Sequence, residues 1–513
     1  AEANGLPALK VGECAYTAVV IPAEMESINL STFNLLKSFL DQGGKVFSSA
    51  PAELPSHLDG APAEVCATLR SHPNWTCVTA DESAARIEDY CKPTLRVRLA
   101  PENEGIVYHH RRQLSDGDIL FLVNSSNEHS ASGRVWAGAA VAARRTAPET
   151  GAITAYPVTQ SEDSGIEAAF TLPPCGSLML FLDKTTVPAG APPAVSDSRV
   201  PVAISAIEAQ RLDDNNLILD YMDVTAGAEN ASGVYFKKAA DITFQQHGLR
   251  GNIWDHCVQF RDTLLRTEFP DDSGFEARYH FSIEGAVPER LHAVIERADL
   301  YSVSCNGVPL TPEPDTGWLD KTFSRLDIAQ AAIVGENELI ITARPMTIFH
   351  ELEAAHIVGD FSLKSTDRGF VIIPPVTLSL GPWTRQGLPL YGLRVAYTAS
   401  VKITEPEKRY AVLLPSWNGV VARVVINEEE AGHIYRHPME CDITAQLRPG
   451  ANTIQVILCG SLRNTLGPHF GEGSTGLTHP GSWNNAPESG PPPGNEYFNI
   501  GYGLLSPFEV VTY

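Results

Sequence analysis

The stretch VSCNG (303–307), followed by Asp327-Ile328 and VGENELII (334–341), decides the fold because it occurs twice. The second copy reads VVIN (424–427), Asp442-Ile443 and PGANTIQV (449–456). In each copy the Asp stands eight positions before a Gly, and an Asn follows that Gly two positions later. Aliphatic residues alternate around these turns, as in a strand with one buried face. The pattern predicts a strand ending at an Asn-containing turn, a short docking segment, and a Gly-x-Asn turn into the next strand.

Length and composition set the limits of the fold. A chain of 513 residues exceeds one hydrophobic core and should form about three or four domains. Its 43% hydrophobic and 19% charged residues are typical of a globular protein, and no stretch approaches the roughly 20 apolar residues of a membrane helix. A net charge of −23 argues against nucleic acid and membrane surfaces as partners. Nine Cys without a C-x-x-C weigh against a zinc site, and we expect most of them to be buried and reduced.

Changes in the pattern of predicted strands and helices along the chain indicate several domains. A strand at 15–22, a helix over 31–40 capped by Ser31, and a strand at 45–51 indicate a βαβ unit, so residues 1–95 are expected to form a small flavodoxin-like α/β domain without a cofactor. Alternating strands over 96–185 predict a small antiparallel β-sandwich, and 186–204 read as a linker. The predicted class is therefore mainly β and multidomain.

Residues 205–513 complete this prediction. They are expected to form a large jelly-roll or galactose-binding-like β-sandwich region in which the two copies of the repeat interleave. The same region could also divide into two sandwiches, with a break near 345–390.

This larger β region resembles the C-terminal part of glycoside hydrolase family 106, the α-L-rhamnosidases and their uncharacterised relatives. The likeness lies in LILDYMDV (217–224), HIVGDFSL (356–363), GLPLYGLRVAY (387–397), VVINEEEAG (424–432), LRNTLGPHF (462–470) and the closing GYGLLSP (501–507). It extends from about residue 205 onward and, more loosely, over the first 190 residues. The resemblance implies a bacterial glycosidase that hydrolyses O-glycosyl bonds in glycans, with α-L-rhamnosides among its candidate substrates.

Members of that family carry their catalytic carboxylates on an N-terminal (β/α) barrel, and the eightfold alternation of a barrel does not occur in this sequence. The resemblance therefore implies no catalytic residue in this chain. Its implied partners are carbohydrate and a catalytic barrel of the same or another chain. The chain is expected to be the part of such an enzyme that follows the barrel. The alternatives are a stand-alone carbohydrate-binding protein without hydrolase activity and a purely structural protein.

The candidate substrate-binding residues are Asn464, His469, His479 and Trp483, in a segment rich in Gly, Pro, His and Asn. Amide and imidazole groups can hydrogen-bond sugar hydroxyls, and an indole can pack against the C–H face of a sugar ring. Long loops of this kind are often functional, although the segment could instead pack against a neighbouring domain.

Two further groups carry metal hypotheses. On a strand, Glu351 and Glu353 would face one side, which suits a calcium ion or a like-charge pair, although a solvated strand face is the commoner arrangement. His256 lies between Asp255 and Cys257 and is a weaker candidate metal ligand.

Overall fold

In a computed structural model, the chain is described at residues 2–3, 5–148, 151–161, 164–185, 199–253, 261–314, 316–471, 478–488 and 490–513. It forms two compact units, Ala1–Ala194 (unit 1) and Val195–Tyr513 (unit 2). Both consist mainly of β-strands, which confirms the predicted mainly β, multidomain class. Residues 186–198 of the predicted linker, and His256 with its two neighbours, lie outside the described residues. Within the described residues, no helix is long and apolar enough to cross a membrane.

Unit 1 begins with a three-stranded parallel sheet in the order Trp75–Cys77, Lys45–Ser48, Ala18–Ile21. Helix Leu30–Asp41 connects two of these strands and packs its apolar face against them, as the βαβ prediction requires. The N-cap is Asn29, whose Oδ1 accepts a hydrogen bond from Thr32 N at 2.7 Å. The predicted cap, Ser31, is wrong because it already lies in the first turn. The other elements are helices Cys66–Arg70 and Ala80–Cys91 and short strands Glu2–Ala3, Leu6–Pro7, Leu9–Val11, Cys14–Tyr16, Ser27–Ile28, His57–Leu58 and Ala61–Pro62.

The rest of unit 1 is a small antiparallel β-sandwich. Sheet A has the order Leu95–Leu99, Ala131–Ala137, Ile166–Leu172, Thr159–Gln160. Sheet B has the order Val107–Gln113, Gly117–Asn124, Ser177–Asp183, Ala142–Thr146, Ile153–Tyr156. Alternate residues of both sheets, such as Val135 and Leu180, share one core. The strands Ala131–Ala137 and Ala142–Thr146 are missing from the sequence prediction, because Ala and Gly dominate that stretch and carry little β propensity.

Unit 2 contains two β-sandwiches with separate cores. In the first sandwich, sheet C has the order Asn215–Leu219, Ala355–Gly359, Leu291–Glu296, Asp320–Asp327, Gly317–Trp318. Sheet D has the order Glu229–Tyr235, Tyr221–Ala226, Phe275–Ile283, Gly335–Ala343, Ser302–Cys305, Val308–Leu310, with Ser362–Ser365 and Phe370–Ile373 attached through Phe275–Ile283. Helix Phe236–Gln246 packs on sheet D, and the short helices Arg261–Leu264 and Ala298–Leu300 lie in connections.

In the second sandwich, sheet E has the order Val200–Val202, Glu509–Thr512, Tyr410–Leu413, Glu440–Asp442. Sheet F has the order Glu208–Arg211, Arg394–Ile403, Gly450–Cys459, Val421–Ile426, Glu429–Ile434. A small ladder joins Trp417–Asn418 to Gly503–Leu504. The connections contain the helix Leu462–Leu466 and the 3₁₀ turns Trp383–Arg385, Thr444–Gln446, Pro480–Asn485 and Gly494–Glu496.

Each sandwich contains one copy of the repeat, so the prediction that the copies interleave is wrong. Each docking segment closes its own sandwich: Ile328 N donates to Leu291 O, and Ile443 N to Tyr410 O, both at 3.0 Å. Both isoleucines are fully buried, in different cores. The predicted domain boundaries, including the break near 345–390, stay predictions; the last strand of the first sandwich ends at Ile373.

The Asn residues of the repeat form the same polar lock in both sandwiches. In the first, Asn337 Nδ2 donates to the carbonyls of Ile333 and Gly335, while its Oδ1 accepts from Ile333 N and Asn306 Nδ2. In the second, Asn452 makes the same four bonds with Arg448, Gly450 and Asn427. The Gly-x-Asn turn predicted from the sequence is therefore confirmed in both copies.

The cysteines are less buried than expected. Eight are described and all are free thiols; three are buried (Cys66, Cys305 and Cys441) and three are exposed (Cys14, Cys77 and Cys175). The prediction that most are buried is wrong, because several lie on short surface strands or turns rather than in the sandwich cores.

Candidate functional site: the 462–500 segment and a buried acid

The segment with the candidate residues leaves sheet F after Cys459 and runs over the first sandwich. Ser461 caps the short helix Leu462–Leu466: its Oγ accepts from Arg463 N at 3.2 Å and lies 2.7 Å from the Tyr502 hydroxyl. Gly467 ends the helix with a φ of +86°, a conformation that glycine adopts without strain. Tertiary contacts thus hold a segment whose composition gives little regular structure.

Asn464 and His469, two of the four predicted residues, face the interior. Asn464 is 1% exposed, and its amide pairs with the backbone of Ile500, donating to the carbonyl and accepting from the N–H at 2.8 Å each. His469 is 2% exposed, with Nε2 2.9 Å from the Asn464 carbonyl. Burial lowers the pKa of His469 to about 4, so its ring is neutral at neutral pH. Both side chains serve to hold the segment.

His479 and Trp483, the other two predicted residues, lie at the surface. His479 is exposed and precedes the 3₁₀ turn Pro480–Asn485. Trp483 is half-buried, packs its ring at the edge of the first core, and donates from Nε1 to the Leu466 carbonyl at 3.4 Å. The structure therefore divides the predicted set into two interior residues, one exposed residue and one half-buried residue.

Beneath the segment lies a buried polar seam, formed by Asn216, His356, Asn464, Thr465 and His469. Asn216 Nδ2 donates to the Thr465 carbonyl at 3.5 Å, which joins sheet C to the helix Leu462–Leu466. Burial, together with repulsion from His469, lowers the pKa of His356 to about 3. Among the described residues no group bonds His356 Nδ1 or Thr465 Oγ1. The seam is thus neutral and incompletely bonded.

The aspartate Asp220, absent from the sequence-based candidates, lies where the chain passes from sheet C to sheet D. Its Oδ1 accepts from the Tyr497 hydroxyl at 3.1 Å, and within the described part of the chain its Oδ2 has no partner. Burial, partly offset by this bond, raises the pKa of Asp220 to about 7. An Asp within the apolar run LILDYM (217–222) was the signal in the sequence.

Aromatic rings enclose this acid. The Tyr221 ring lies 5.3 Å from the Tyr235 ring and 6.3 Å from the Phe470 ring, and Phe470 lies 4.8 Å from Tyr497, measured between centroids. Asp220 is the one fully buried carboxylate among the described residues of unit 2. Asp220 is thus a single carboxyl group enclosed by aromatic rings.

The structure does not support the calcium hypothesis for Glu351 and Glu353. Residues 351–354 form no strand; Glu351 Oε1 accepts from Asn252 Nδ2 at 3.0 Å, and the strand of this region begins at Ala355. The predicted strand geometry at Glu351 and Glu353 is therefore wrong. In the ranges that the structure covers, no group of three or more His, Cys, Asp and Glu is arranged to hold a metal ion.

The fold and this site define the class: a mainly β, multidomain protein with two similar sandwiches and an enclosed acid. No family model and no curated protein sequence matches the chain. Among solved structures it is similar to a rhamnosidase from Novosphingobium sp. PP1Y, with 12% identity and a TM-score of 0.46 over 100% of this chain and 35% of that chain.

Two further solved structures are similar to parts of the chain. The α-L-rhamnosidase of Streptomyces avermitilis, complexed with L-rhamnose, has 12% identity and a TM-score of 0.22 over 71% of this chain and 36% of that one. The β-D-mannosidase of Dictyoglomus thermophilum has 10% identity and a TM-score of 0.19 over 48% of this chain and 31% of that one. The chain spans about a third of the length of these glycoside hydrolases.

Proposed function

We propose that this chain is the accessory, non-catalytic part of a glycoside hydrolase similar to the α-L-rhamnosidases of family 106. Its sandwiches brace a catalytic barrel that the same or another polypeptide supplies. The surface around 478–488 contributes to glycan binding, and the intact enzyme hydrolyses a glycosidic bond.

The observation that carries the proposal is that segments of the family resemblance meet in the buried polar seam. The segment 462–470 bonds to Asn216, which directly precedes 217–224, and brings His469 beside His356, the first residue of 356–363. Asn464 Nδ2 also points at the Tyr391 carbonyl, within 387–397, at 3.4 Å. Residues far apart in sequence thus tie the strands of unit 2 together, which supports a scaffolding role.

The state of the buried acid supports the non-catalytic part of the proposal. Glycoside hydrolysis uses two carboxylates on either side of the scissile bond, about 5–9.5 Å apart. Asp220 instead lies within packed aromatic rings, and no other carboxylate among the described residues of unit 2 is fully buried with it. Asp220 therefore has, among these residues, no second buried carboxylate beside it for that chemistry.

The decisive experiment compares hydrolysis of a panel of nitrophenyl glycosides by this chain and by the same chain joined to a catalytic barrel. We expect no turnover by the chain alone and turnover by the joined protein. Turnover by the chain alone, lost in Asp220→Asn, would overturn the proposal and make Asp220 catalytic.

The contribution to glycan binding is tested separately with Trp483→Ala. We expect binding of neutral oligosaccharides on a glycan array to weaken about tenfold, because the indole supplies the apolar face for a sugar ring. Tyr435→Ala, which removes an aromatic ring that is 50% exposed elsewhere on the second sandwich, is the matched control. Equal binding by wild type and Trp483→Ala would exclude the 478–488 surface.

A further inference from the structure

A second surface with binding chemistry lies on the outer face of sheet A in unit 1. Val97 and Val135 point into the sandwich core, so their neighbours along the strands point outward. These outward residues line a groove of about 690 Å³, within the range of ligand pockets, about 300–1,000 Å³. The lining combines charged and hydroxyl side chains with apolar ones, among them Leu99, Pro101 and the half-buried indole of Trp136.

The groove contains an unfavourable pair of like charges. Arg98 and Arg134 occupy directly opposite positions on neighbouring antiparallel strands, and their side chains are 73% and 69% exposed. Like charges in this arrangement destabilise a sheet. Arg96, the partner of Trp136 in the same ladder, adds a third guanidinium to the face. An anion between the two opposed guanidinium groups would relieve their repulsion.

Nearby carboxylates balance this charge only in part. Arg98 Nη2 is 3.4 Å from Glu88 Oε1, which also pairs with Arg96, and Arg134 Nη1 is 3.2 Å from Glu167 Oε2. Three arginines and two glutamates line the groove, and Glu88 beside it brings the glutamates to three, of which Glu88 and Glu167 form ion pairs with the arginines. The groove therefore concentrates three guanidinium groups on one face of a chain whose net charge is −23.

The indole beside these arginines is rigid. Trp136 Nε1 donates to Ser161 Oγ and to the Ser164 carbonyl, both at 3.1 Å. The guanidinium carbon of Arg96 lies 4.3 Å from the ring centroid. Gly138 makes room for the ring, because a Cβ at that position would lie 2.6 Å from an indole carbon. At the other end of the groove, the hydroxyls of Ser132 and Thr171 lie 3.3 Å apart.

We infer that this groove binds an oligosaccharide that carries uronic acid carboxylates. Arg98 and Arg134 bind a carboxylate through charge-assisted hydrogen bonds, for which the guanidinium fork is well matched. Trp136 packs against an adjacent sugar ring through the ring face that Arg96 does not cover, and Ser132 and Thr171 bond ring hydroxyls. The inference rests on the proposed glycan-related function and adds a substrate class and a second site to it.

The test is calorimetric titration of the whole chain with α-1,4-linked trigalacturonate and with its fully methyl-esterified form. We expect the acid to bind about tenfold more tightly than the ester. Added salt should lower the affinity for the acid, because it screens the ion pairs with the arginines. The double variant Arg98→Gln/Arg134→Gln should lose that preference and keep the weak binding of the ester. Arg112→Gln, on an exposed position of sheet B, is the matched control and should bind as wild type.

Several results would overturn the inference. One is equal affinity for acid and ester, and another is an acid preference that survives in the double variant. Binding of triglutamate as tight as that of trigalacturonate would assign the groove to acidic peptides instead. If any of these results is obtained but neutral oligosaccharides still bind through Trp483, the groove inference fails and the proposed function stands. Failure of the inference can therefore be distinguished from failure of the proposed function.

Discussion

The two sandwiches of unit 2 use one polar lock in different surroundings. In both, a buried Asn after the Gly-x turn bonds two carbonyls and an N–H of its own loop and the amide of the hairpin Asn. The first sandwich also holds the enclosed Asp220 and a helix on sheet D, whereas the described strands of the second contain no fully buried charge. The lock is therefore structural, and the functional differences arise outside it.

The hairpin beyond the lock also differs. In the first copy the left-handed positions are Asn306 and Gly307, and in the second they are Asn427 and Glu428, with φ of 72° at Glu428. A left-handed conformation costs a side-chain-bearing residue about 1–2 kcal/mol. The second copy thus tolerates backbone strain that the first avoids.

The largest effect should come from breaking the lock itself. Asn337→Ala and Asn452→Ala each remove a 2%-exposed amide and leave buried groups unbonded, so each should lower the free energy of unfolding by roughly 3–5 kcal/mol. Urea denaturation measures the loss, and hydrogen exchange should locate it in the variant's own sandwich. Asn484→Ala, at an exposed position, should change stability little. A loss below about 1 kcal/mol in either variant would contradict an equivalent role.

The buried Asp220 should give the stability of the first sandwich a pH dependence that differs from that of the second. In the unfolded chain Asp220 ionises near its ordinary pKa, but in the folded protein only near pH 7, so raising the pH across this window favours unfolding. Asp220→Asn removes this penalty. Relative to wild type, the variant should therefore gain on the order of 2–4 kcal/mol between pH 4 and pH 8, measured by denaturation at each pH.

An acid of the second sandwich should show the opposite sign. Burial raises the pKa of Asp442, but hydrogen bonds from Arg409 and Thr444 outweigh it and the net pKa is lowered. Its stabilisation is present above the unfolded pKa and is lost as the pH falls. Asp442→Asn should therefore cost more at pH 7 than at pH 3, and the same sign for both aspartates would refute the contrast.

Exchanging the residue types at the two hairpin positions should change stability by a smaller amount and in opposite directions. Gly307→Ala should cost about 1 kcal/mol through the backbone alone, since no atom lies within 4 Å of the added Cβ. Glu428→Gly should leave stability unchanged or raise it by less than about 1 kcal/mol. Thermal unfolding of the two variants tests this, and a marked destabilisation by Glu428→Gly would mean that the Glu428 side chain stabilises the turn.

Surface ion pairs should distinguish the sandwiches least. Arg278 binds both oxygens of Glu338 at 2.7 and 2.8 Å, so Arg278→Gln should cost about 1 kcal/mol. Arg448 and Glu429 are 66% and 65% exposed and 3.4 Å apart, so Arg448→Gln should cost less than about 0.5 kcal/mol. Denaturation in low and high salt measures both, and equal losses would show that pair geometry is unimportant here.

The candidate sites show why sequence reasoning reached only part of the answer. Asn464, His469, His479 and Trp483 share one irregular stretch, but only the tertiary structure separates the buried Asn464 and His469 from the exposed His479 and the half-buried Trp483. The sheet A groove was missed because Arg98, Arg134 and Glu167 come from three strands, one of them in an Ala- and Gly-rich stretch with little β signal. Residues that meet only across a sheet leave no common motif in the sequence.

By itself, the sequence determined the local structure: alternating strands, the Asn and Gly turns, the βαβ opening and the mainly β class. These features depend on interactions between residues that are close in sequence. The two-residue period of a strand and the left-handed positions of a turn can be recognised directly from the order of residue types. Only the tertiary structure decided that the repeats close separate cores, that Asp220 is enclosed, and that three arginines share one face. Those outcomes depend on which sheets bury apolar surface together, a sum over contacts far apart in sequence that no local pattern specifies.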